Sequence, residues 1–450
     1  MGLKALWHKR QPWFVPAASP VQPSQKTAGR MARMPADVPR NLVWHFYPVP
    51  HVWQWHADKL RELLSSGAFD GGRVIIGIST DGTTDTAQEV QDRIGISGID
   101  WILTDNINHD AAPFASGQRF GELQTAIPAM EMLRGVGESV TFYGHAKGVR
   151  PHTKTSEAVR VWSEMMYETV MFNADFCVDK ISEGYDFVGS FVTGNCPQFR
   201  TRYSWHYSGT YYAFRTRRMV SERLVLPYQL VYGGTEMWPG NHVARQDAYC
   251  VFSDSSPCIR QYDIRQMLYV TDQQMYWESS RFGGGPHIDQ HYREFLWLMN
   301  EISGMGRGLI IGSNHGGLEH HILSRGYAGE IVSVDIAPKP TNTAPRLIIG
   351  DSMSETVQQK VTDCGPYDWV FIDGDHSEHG ARKDFEFAIS LSPRKIFFHD
   401  ILKSSFHLHH GCLVDIVWAD VKKSAGSFGW SVREKVVGCG WGGIGAVELR

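Results

Sequence analysis

Residues 369–378 read WVFIDGDHSE, an apolar run of four residues that ends abruptly at two carboxylates and an imidazole. A similar run, KIFFHD, follows at residues 395–400 and also ends in an aspartate. Short apolar runs of this kind are typical of buried parallel strands. In an open parallel sheet, ligands bind beyond the carboxyl ends of the strands, so the side chains there line a cleft. The two runs therefore predict neighbouring strand ends at which Asp373 and Asp400 share one hard metal ion.

The composition is that of an ordinary globular protein, because 42% of the 450 residues are hydrophobic and 20% are charged. A chain of this length favours two or three domains. The net charge of -4 creates no field that would attract nucleic acid or an anionic membrane. No apolar run approaches the roughly 18 residues needed to cross a bilayer. We therefore expect neither a nucleic acid partner nor a membrane span.

The seven cysteines are odd in number and scattered, and they contain no Cys-x-x-Cys pair. This pattern argues against a disulfide framework and against a zinc knuckle. The expectation is a reduced, cytoplasmic setting.

Two domains are predicted from breakers and from the alternation of strand and helix patterns. Residues 1–38 are rich in Pro, Ser, Ala, Lys and Arg without periodicity, which predicts a disordered leader. The breaker RFGGGP at 281–286 predicts a boundary between domains at 39–280 and 287–450. The predicted strands are residues 41–47, 73–78, 100–103 and 139–143, and then 308–311, 331–334, 346–349, 369–372 and 395–398. The fold class is therefore two α/β domains, the second with a doubly wound sheet.

In the second domain, polar residues follow three further strands. The first strand runs into the glycine turn GSNHGG at 312–317, which opens a helix and lets a cofactor approach the backbone. The next strand ends at Asp335, where an acidic side chain commonly accepts ribose hydroxyls. The third is followed by Gly350, Asp351 and Ser352. The spacing of the turn is not G-x-G-x-x-G, which argues against a nicotinamide cofactor.

Together these motifs resemble class I S-adenosylmethionine-dependent methyltransferases, in the branch of macrolide-sugar O-methyltransferases and cephalosporin-hydroxylase-like proteins. The resemblance covers residues 287–450. It implies that Gly312 and Gly316 border the methionine part of the cofactor and that Asp335 holds the ribose. It also implies that Asp351 and Ser352 lie beside the adenine. The family's acidic residue before the glycine turn is missing, because Ile310 and Ile311 stand there.

The same resemblance implies that Asp373 and Asp400 bind a divalent metal, Mg²⁺ being the first expectation, and that His376 is the general base. A sugar hydroxyl is too weak an acid to ionise alone at neutral pH, and Mg²⁺ can act as a Lewis acid on its oxygen while an imidazole takes the proton. The alternative is that the two aspartates only cap helices. A nearby group of imidazoles is expected to be solvated and is left out of the metal site: His407, His409 and His410.

The first domain carries weaker signals. The strand at 139–143 runs into His145 and Lys147, an aromatic segment follows at 204–215, and Glu236 stands within a glycine-rich segment at 233–239. Taken singly, these features also fit a β-rich core with a glycine bend.

As a set they resemble bacterial polysaccharide-associated glycosyltransferases of the nucleotide-sugar, GT-A-like type. The resemblance implies that His145 and Lys147 lie near the donor diphosphate and that Glu236 is a base or orients the acceptor. The sugar pocket would be lined by His206, Ser208 and Gly209. No convincing Asp-x-Asp follows a strand, and the remaining metal candidates are Asp81, Asp85 and Asp105.

The sequence thus predicts a bifunctional enzyme that transfers a sugar from a nucleotide sugar and methylates a sugar hydroxyl with S-adenosylmethionine. The acceptor would be a carbohydrate or a glycosylated metabolite, and a homo-oligomer is possible. Two alternatives stay open. One is a methyltransferase with a catalytically silent carbohydrate-binding module, and the other is an oxygenase-type or small-molecule tailoring enzyme on the same cofactor fold.

Overall fold

The computed structural model describes residues 34, 37–106, 122–146, 157–194, 201–221, 234–252, 271, 274–275, 277–438 and 440–449. The predicted leader therefore lies outside the described residues, except for Met34, Asp37 and Val38. The chain forms two compact units. The described part of the first unit ends at Phe252, and that of the second unit begins at Thr271. The described residues before the predicted boundary, which are 271, 274, 275 and 277–280, group with the second unit, although the sequence analysis placed them in the first domain. No helix in the described ranges is long and apolar enough to cross a membrane.

Within its described residues, the first unit is built on a seven-stranded sheet and a separate pair of strands. The strands of the two together are β1 (Arg40–Phe46), β2 (Val74–Thr80), β3 (Ile99–Asp105), β4 (Val140–His145), β5 (Phe187–Gly189), β6 (Val192–Gly194), β7 (Trp205–Tyr207), β8 (Tyr212–Arg215) and β9 (Ala248–Cys250). Its α-helices are α1 (Trp53–Ser65), α2 (Ala87–Ile94), α3 (Leu123–Met132), α4 (Glu157–Met166), α5 (Ala174–Ser182) and α6 (Gly234–His242). Shorter helical turns lie at Tyr167–Met171, Arg217–Ser221 and Arg245–Asp247.

The order in this sheet is β3-β2-β1-β4-β8-β5-β9. The first four strands are parallel, whereas β8 runs antiparallel to both of its neighbours. The four predicted strands are confirmed, since β1 to β4 overlap each of them. Strands β6 and β7 form a separate pair beside the sheet. The first unit is therefore an α/β domain with a mainly parallel half, as predicted.

The described residues of the second unit form their own seven-stranded sheet. Its strands are β10 (Gly308–Ile311), β11 (Ile331–Asp335), β12 (Leu347–Ile349), β13 (Trp369–Ile372), β14 (Lys395–His399), β15 (Ser431–Lys435) and β16 (Ile444–Glu448). Its helices are α7 (Tyr292–Glu301), α8 (Gly317–Ser324), α9 (Glu355–Asp363), α10 (Glu378–Ser390), α11 (Ser405–His409) and α12 (Val414–Phe428).

The order of the second sheet is β12-β11-β10-β13-β14-β16-β15, and the first five of these strands are parallel. All five strands predicted for this half are confirmed. The chain leaves the doubly wound pattern after β14, because β16 pairs antiparallel to it and β15 forms the edge. The strand order reverses between β10 and β13, and the crevice beyond this reversal point is where such sheets bind ligands.

Both faces of this sheet are buried, as expected for parallel strands covered by helices. Alternate residues of β13 enter two different apolar cores. Val370 and Ile372 pack with helices α9, α10 and α12 on one face, whereas Trp369 and Phe371 pack with α7 and α8 on the other. The apolar run at 369–372 thus anchors the centre of the unit.

One buried carboxylate holds the C-terminal hairpin to the rest of the unit. Glu294, in α7, accepts hydrogen bonds from the backbone N–H groups of Val437 (2.8 Å) and Gly443 (2.9 Å). Burial raises the pKa of the Glu294 carboxyl to about 7, although the two hydrogen bonds oppose this rise.

We predict that this carboxyl makes the stability of the second unit fall with rising pH. The unfolded carboxyl ionises near pH 4.5, so between pH 4.5 and 7 the folded state retains a proton that the unfolded state has lost. Stability then declines through this range by at most about 3 kcal/mol and is constant above it. Urea unfolding at pH 4.5 to 8 gives the free energy of unfolding of wild type and of Glu294→Gln. The decline is the change with pH in the difference between these two free energies. Parallel stability curves would contradict the prediction.

Candidate active site

The candidate site lies at the carboxyl ends of β10, β11, β13 and β14. Strands β13 and β14 are parallel neighbours with Ile372 opposite Phe398, so Asp373 and Asp400 leave the sheet near one another. Strand β10 lies on the other side of β13 and runs into the glycine turn. The predicted cofactor and metal residues of this half therefore converge on one edge of one sheet.

The glycine turn is tightly packed against its neighbours. Gly312 has φ +97°, and a Cβ on it would lie 2.0 Å from the carbonyl oxygen of Asp373. Gly316 has φ +73°, and a Cβ there would lie 2.7 Å from the backbone nitrogen of Thr343. The two glycines thus allow close backbone approach on these sides. That they border a cofactor stays a prediction.

Asp335 ties the turn to the end of β11. Its carboxylate accepts a hydrogen bond from the backbone N–H of Asn314 and another from that of Ala337, both at 2.7 Å. Asn314 has φ +47°, a conformation that Asn tolerates better than most residues. Each carboxylate oxygen has a second lone-pair direction, so Asp335 can still accept from ligand hydroxyls.

Asp351 and Ser352 lie at the tip of the neighbouring strand, β12. Asp351 accepts a hydrogen bond from the backbone N–H of Met353 at 2.9 Å. The Ser352 hydroxyl donates to Asp384, on α10, at 2.6 Å. These bonds hold the loop in a defined position, whereas the predicted contact with adenine stays a prediction.

Sequence reasoning missed a buried carboxylate beneath the turn. Glu319, in the first turn of α8, accepts hydrogen bonds from the hydroxyls of Ser313 and Ser333. Its burial raises the pKa of the carboxyl. The acidic residue that the sequence lacks before the glycine turn thus has a counterpart after it. The available signal was a Glu three residues after Gly316, at the start of a helix.

His376 bridges the two predicted metal ligands. Its Nε2 lies 3.2 Å from Asp373 Oδ1 and 3.0 Å from Asp400 Oδ2. Asp400 has φ +58°, a left-handed conformation that costs roughly 1–2 kcal/mol for most non-glycine residues. Such outliers persist at sites whose surroundings hold them in place. The three predicted residues are therefore brought together. The fourth polar residue of this motif, Asp375, accepts a hydrogen bond from the Ser377 N–H and so acts on the local turn.

The structure adds three residues to this cluster. His399 Nδ1 lies 3.2 Å from both Asp373 Oδ1 and Asp400 Oδ1. Gln290 donates to Asp373 Oδ2 at 2.8 Å. His407 is buried and its Nε2 lies 3.4 Å from Asp400 Oδ1. The expectation that His407 is solvated is therefore wrong, because α11 turns it inward, whereas His409 and His410 are exposed.

The charges in this cluster compensate one another. Burial by itself lowers the pKa of His376, but hydrogen bonds and attraction to Asp373 and Asp400 outweigh it and raise the pKa to about 10. Burial also lowers the pKa of His399, but attraction to Asp400 and Asp373 outweighs burial and raises the pKa to about 9. Burial opposes ionisation of Asp400, but the attraction of His399 and His407 prevails and holds its pKa well below the usual range. As folded here, the two carboxylates are thus neutralised by imidazolium groups.

In the first unit, His145 pairs with Glu122 and lies opposite His45 on the adjacent strand β1. The Tyr211 hydroxyl donates to the His145 carbonyl at 2.8 Å, which connects this strand end to the aromatic segment. Burial, and secondarily His145, lowers the pKa of His45 to about 3, so His45 is neutral. Lys147 lies outside the described residues.

Glu236, the predicted base or acceptor-orienting carboxylate, is in direct contact with Gly209, which was predicted to line the sugar pocket. The Glu236 carboxylate accepts a hydrogen bond from the Gly209 N–H at 3.0 Å. His206 is buried in the β6–β7 pair, and the Ser208 N–H donates to the carbonyl of Phe191. Whether these groups bind a sugar stays a prediction.

The acidic alternatives of the first unit differ in their surroundings. Asp85 accepts from the Trp53 indole N–H at 2.7 Å, which is a structural role. Asp81, after β2, accepts from the Tyr47 hydroxyl (2.7 Å) and the Asn106 amide (3.2 Å), which follow β1 and β3. Asp81 thus lies where three parallel strands end, the usual position of a ligand in such a sheet.

Comparison with protein-family models gives no match, and comparison with curated proteins gives none either. Among solved structures, the chain is similar to an O-methyltransferase from Bacillus cereus in complex with SAH, with 19% identity, a TM-score of 0.29, and 40% of this chain and 90% of that chain covered. It is also similar to the MycE methyltransferase of the mycinamycin biosynthetic pathway in complex with Mg, SAH and mycinamycin VI (17% identity, TM-score 0.30, covering 39% of this chain and 54% of that chain). A third similar structure is a putative O-methyltransferase from Klebsiella pneumoniae, with 16% identity and a TM-score of 0.29. The match covers 40% of this chain and 89% of that chain. Likeness at this level assigns no activity to this chain.

We predict that the packing of Gly312 on β13 is a major constraint on stability. Gly312→Ala combines an unfavourable φ with a Cβ 2.0 Å from a backbone oxygen, so we expect a loss of about 3 kcal/mol or more. Gly326→Ala is the matched control, because its φ is +86° but no atom lies within 4 Å of the added Cβ. That control should lose only about 1–2 kcal/mol. Chemical denaturation of both variants measures the difference, and equal losses would contradict the close-approach argument.

Proposed function

We propose that the second unit is an S-adenosylmethionine-dependent O-methyltransferase that acts on a hydroxyl of a carbohydrate or glycosylated acceptor. The observation that carries the proposal is the convergence of two sets of groups at one sheet edge. One set is the glycine turn with Asp335, and the other is the group of Asp373, Asp400 and His376. The first suits a nucleoside cofactor and the second suits activation of a hydroxyl.

The cofactor would lie over the glycine turn, with Gly312 and Gly316 beside its methionine part. Asp335 would accept the ribose hydroxyls with the lone pairs that its two backbone hydrogen bonds leave available. Asp351 and Ser352 would border the adenine. The contacts to Asn314 and Asp384 keep Asp335 and Ser352 in place before any ligand arrives, which reduces the ordering cost of binding.

A divalent metal ion fits the donor groups at the ends of β13 and β14. Asp373, His399 and Asp400 each offer a ligand atom, and these atoms all lie within 4.8 Å of one another. Asp373 and Asp400 would hold the ion. Once bound, it would supply a Lewis acid for the acceptor hydroxyl and offset the negative charge that retains the proton on His376.

His376 is the proposed general base. It receives the proton of the acceptor hydroxyl as the oxygen attacks the methyl carbon. The new carbon–oxygen bond forms while the carbon–sulfur bond breaks, and the sulfonium becomes the neutral thioether of S-adenosylhomocysteine. The contacts of Nε2 with both aspartates fix the ring, and this positioning supplies part of the rate.

For the first unit, we propose binding of a nucleotide sugar and transfer of its sugar to the acceptor that the second unit methylates. The proposal is supported by the convergence of polar groups on Asp81 at the ends of β1 to β3 and by the bond from Gly209 to Glu236. Two alternatives keep the same architecture: a catalytically silent carbohydrate-binding module, and a small-molecule tailoring enzyme. A reduced cytoplasmic setting and a possible homo-oligomer remain expectations.

The methyltransferase proposal predicts that the full chain binds S-adenosylmethionine and S-adenosylhomocysteine. Calorimetry should show at least about tenfold weaker binding for Asp335→Ala, because a charged hydrogen bond is lost. Asp363→Ala, which changes an exposed aspartate on α9, is the matched control and should bind like wild type.

The same proposal predicts the effect of removing the general base. With a glycoside panel, His376→Gln should keep cofactor affinity and lower kcat by about 10²–10⁴-fold. Absence of cofactor binding to wild type would refute the assignment.

The glycosyltransferase proposal predicts nucleotide-sugar binding and slow hydrolysis without an acceptor. Lys147→Ala should weaken diphosphate-sugar binding about tenfold or more, because a cation near the phosphates is lost. Lys180→Ala, whose exposed partner is Glu183, is the matched control. Glu236→Gln retains an acceptor for the Gly209 N–H and should lower turnover while binding persists. If wild type neither binds nor hydrolyses any nucleotide sugar, a glycan-binding role replaces this proposal.

A further inference from the structure

We propose that the metal site at the ends of β13 and β14 selects an imidazole-binding transition metal, such as Mn²⁺, Fe²⁺, Co²⁺ or Zn²⁺, in preference to Mg²⁺. The ligands would be Asp373, Asp400 and the nitrogen of His399, with His407 as a second imidazole. This inference rests on the metal site of the proposed function and states which ions that site takes.

His399 stands between the two carboxylates. Its Nδ1 lies 3.2 Å from an oxygen of each aspartate. The residue ends β14, where it is paired with Ile444 of β16, and its side chain is 3% exposed. The ring therefore has little freedom to turn away. A cation that binds both Asp373 and Asp400 meets a nitrogen donor where an all-oxygen site would offer a carboxylate or water.

His407 provides an independent observation on the other side of Asp400. Its Nδ1 contacts the carbonyl oxygen of Leu402, and because a carbonyl can only accept, Nδ1 carries the hydrogen. Nε2, the other ring nitrogen, faces Asp400 Oδ1 at 3.4 Å. Within the described part of the chain this Nε2 forms no hydrogen bond, although the side chain is only 4% exposed.

A cation bound to Asp400 on this side would therefore meet Nε2 of His407. A ring whose other nitrogen donates to a backbone carbonyl is also the usual arrangement of a metal-bound histidine, because that bond fixes the tautomer. The contact between His407 and Leu402 therefore prepares Nε2 for a cation bound to Asp400. Asp400 belongs to both groups of possible ligands, one with Asp373 and His399 and one with His407 and Cys412.

The chemistry of these donors separates the candidate ions. Mg²⁺ prefers six oxygen ligands in a near-ideal octahedron and usually keeps several waters. Imidazole suits first-row transition metals, and a site with two carboxylates and one or two imidazoles resembles their sites more than those of Mg²⁺. Asp373 and Asp400 alone would allow Mg²⁺ to bind. The buried imidazoles of His399 and His407 beside them disfavour it.

The test uses the full chain freed of metal with a chelator and titrated with MnCl₂, CoCl₂ and MgCl₂ by calorimetry. Electron spin echo measurements on the Mn²⁺ complex detect nitrogen bound to the metal directly. We expect a nitrogen signal in wild type and tighter binding of Co²⁺ than of Mg²⁺. His399→Gln, which offers an oxygen in place of the nitrogen, should weaken or remove this signal and lower the Co²⁺/Mg²⁺ affinity ratio by about 10-fold or more.

His409→Gln is the matched control, because it removes an exposed imidazole from the same helix as His407 and should change neither readout. His407→Gln is the second test variant, and it keeps the inference testable if His399→Gln does not fold. The inference is overturned if wild type shows no bound nitrogen, if the ratio is unchanged in both variants, or if no metal binds.

The outcome is separable from that of the proposed function. Methyl transfer supported by Mg²⁺ without a nitrogen signal would refute the metal inference and leave the methyltransferase assignment intact. Nitrogen-bound Mn²⁺ in a chain that does not bind S-adenosylmethionine would support the metal inference and refute the methyltransferase assignment.

Discussion

Two carboxylates at neighbouring strand ends impose the central constraint on the second unit. Asp373 and Asp400 leave β13 and β14 side by side, and two partly buried negative charges at this spacing require compensation. The fold supplies it with imidazoles from the β13–α10 connection, from the end of β14 and from α11. Asp400 lies in this cluster with a left-handed backbone conformation, φ +58°.

The cofactor side of the site is coupled to this cluster through backbone contact. Gly312 packs on the carbonyl of Asp373, so the start of the glycine turn is in contact with the first of the proposed metal ligands. Asp335 then holds the middle of the turn, and Glu319 holds Ser313 from beneath. A methyl donor over the turn and a hydroxyl beside the carboxylates would therefore be placed by one rigid set of strand ends, which is what an in-line transfer requires.

Each unit uses parallel strands to bring polar groups to one edge, but the groups differ in kind. The second unit collects carboxylates and imidazoles, which suit a metal ion and a proton transfer. The first unit collects hydroxyl, amide and carboxylate groups around Asp81 and places Glu236 against a glycine loop. These groups suit a polar sugar or nucleotide more than redox or nucleophilic chemistry.

The sequence by itself determined the α/β class, nine of the strands and the positions of Asp335, Asp373, His376 and Asp400. It could do so because apolar runs, turns and strand-end residues are local signals. Only the tertiary structure decided that His399 and His407 face the carboxylates, that Glu319 lies under the glycine turn, and that β16 enters the sheet beside β14. These facts depend on which strands are neighbours and on which face of α11 is buried, and both are set by contacts between residues far apart in the chain. A histidine in a short polar helix gives no local sign of its direction, because packing determines whether it meets solvent or a buried aspartate.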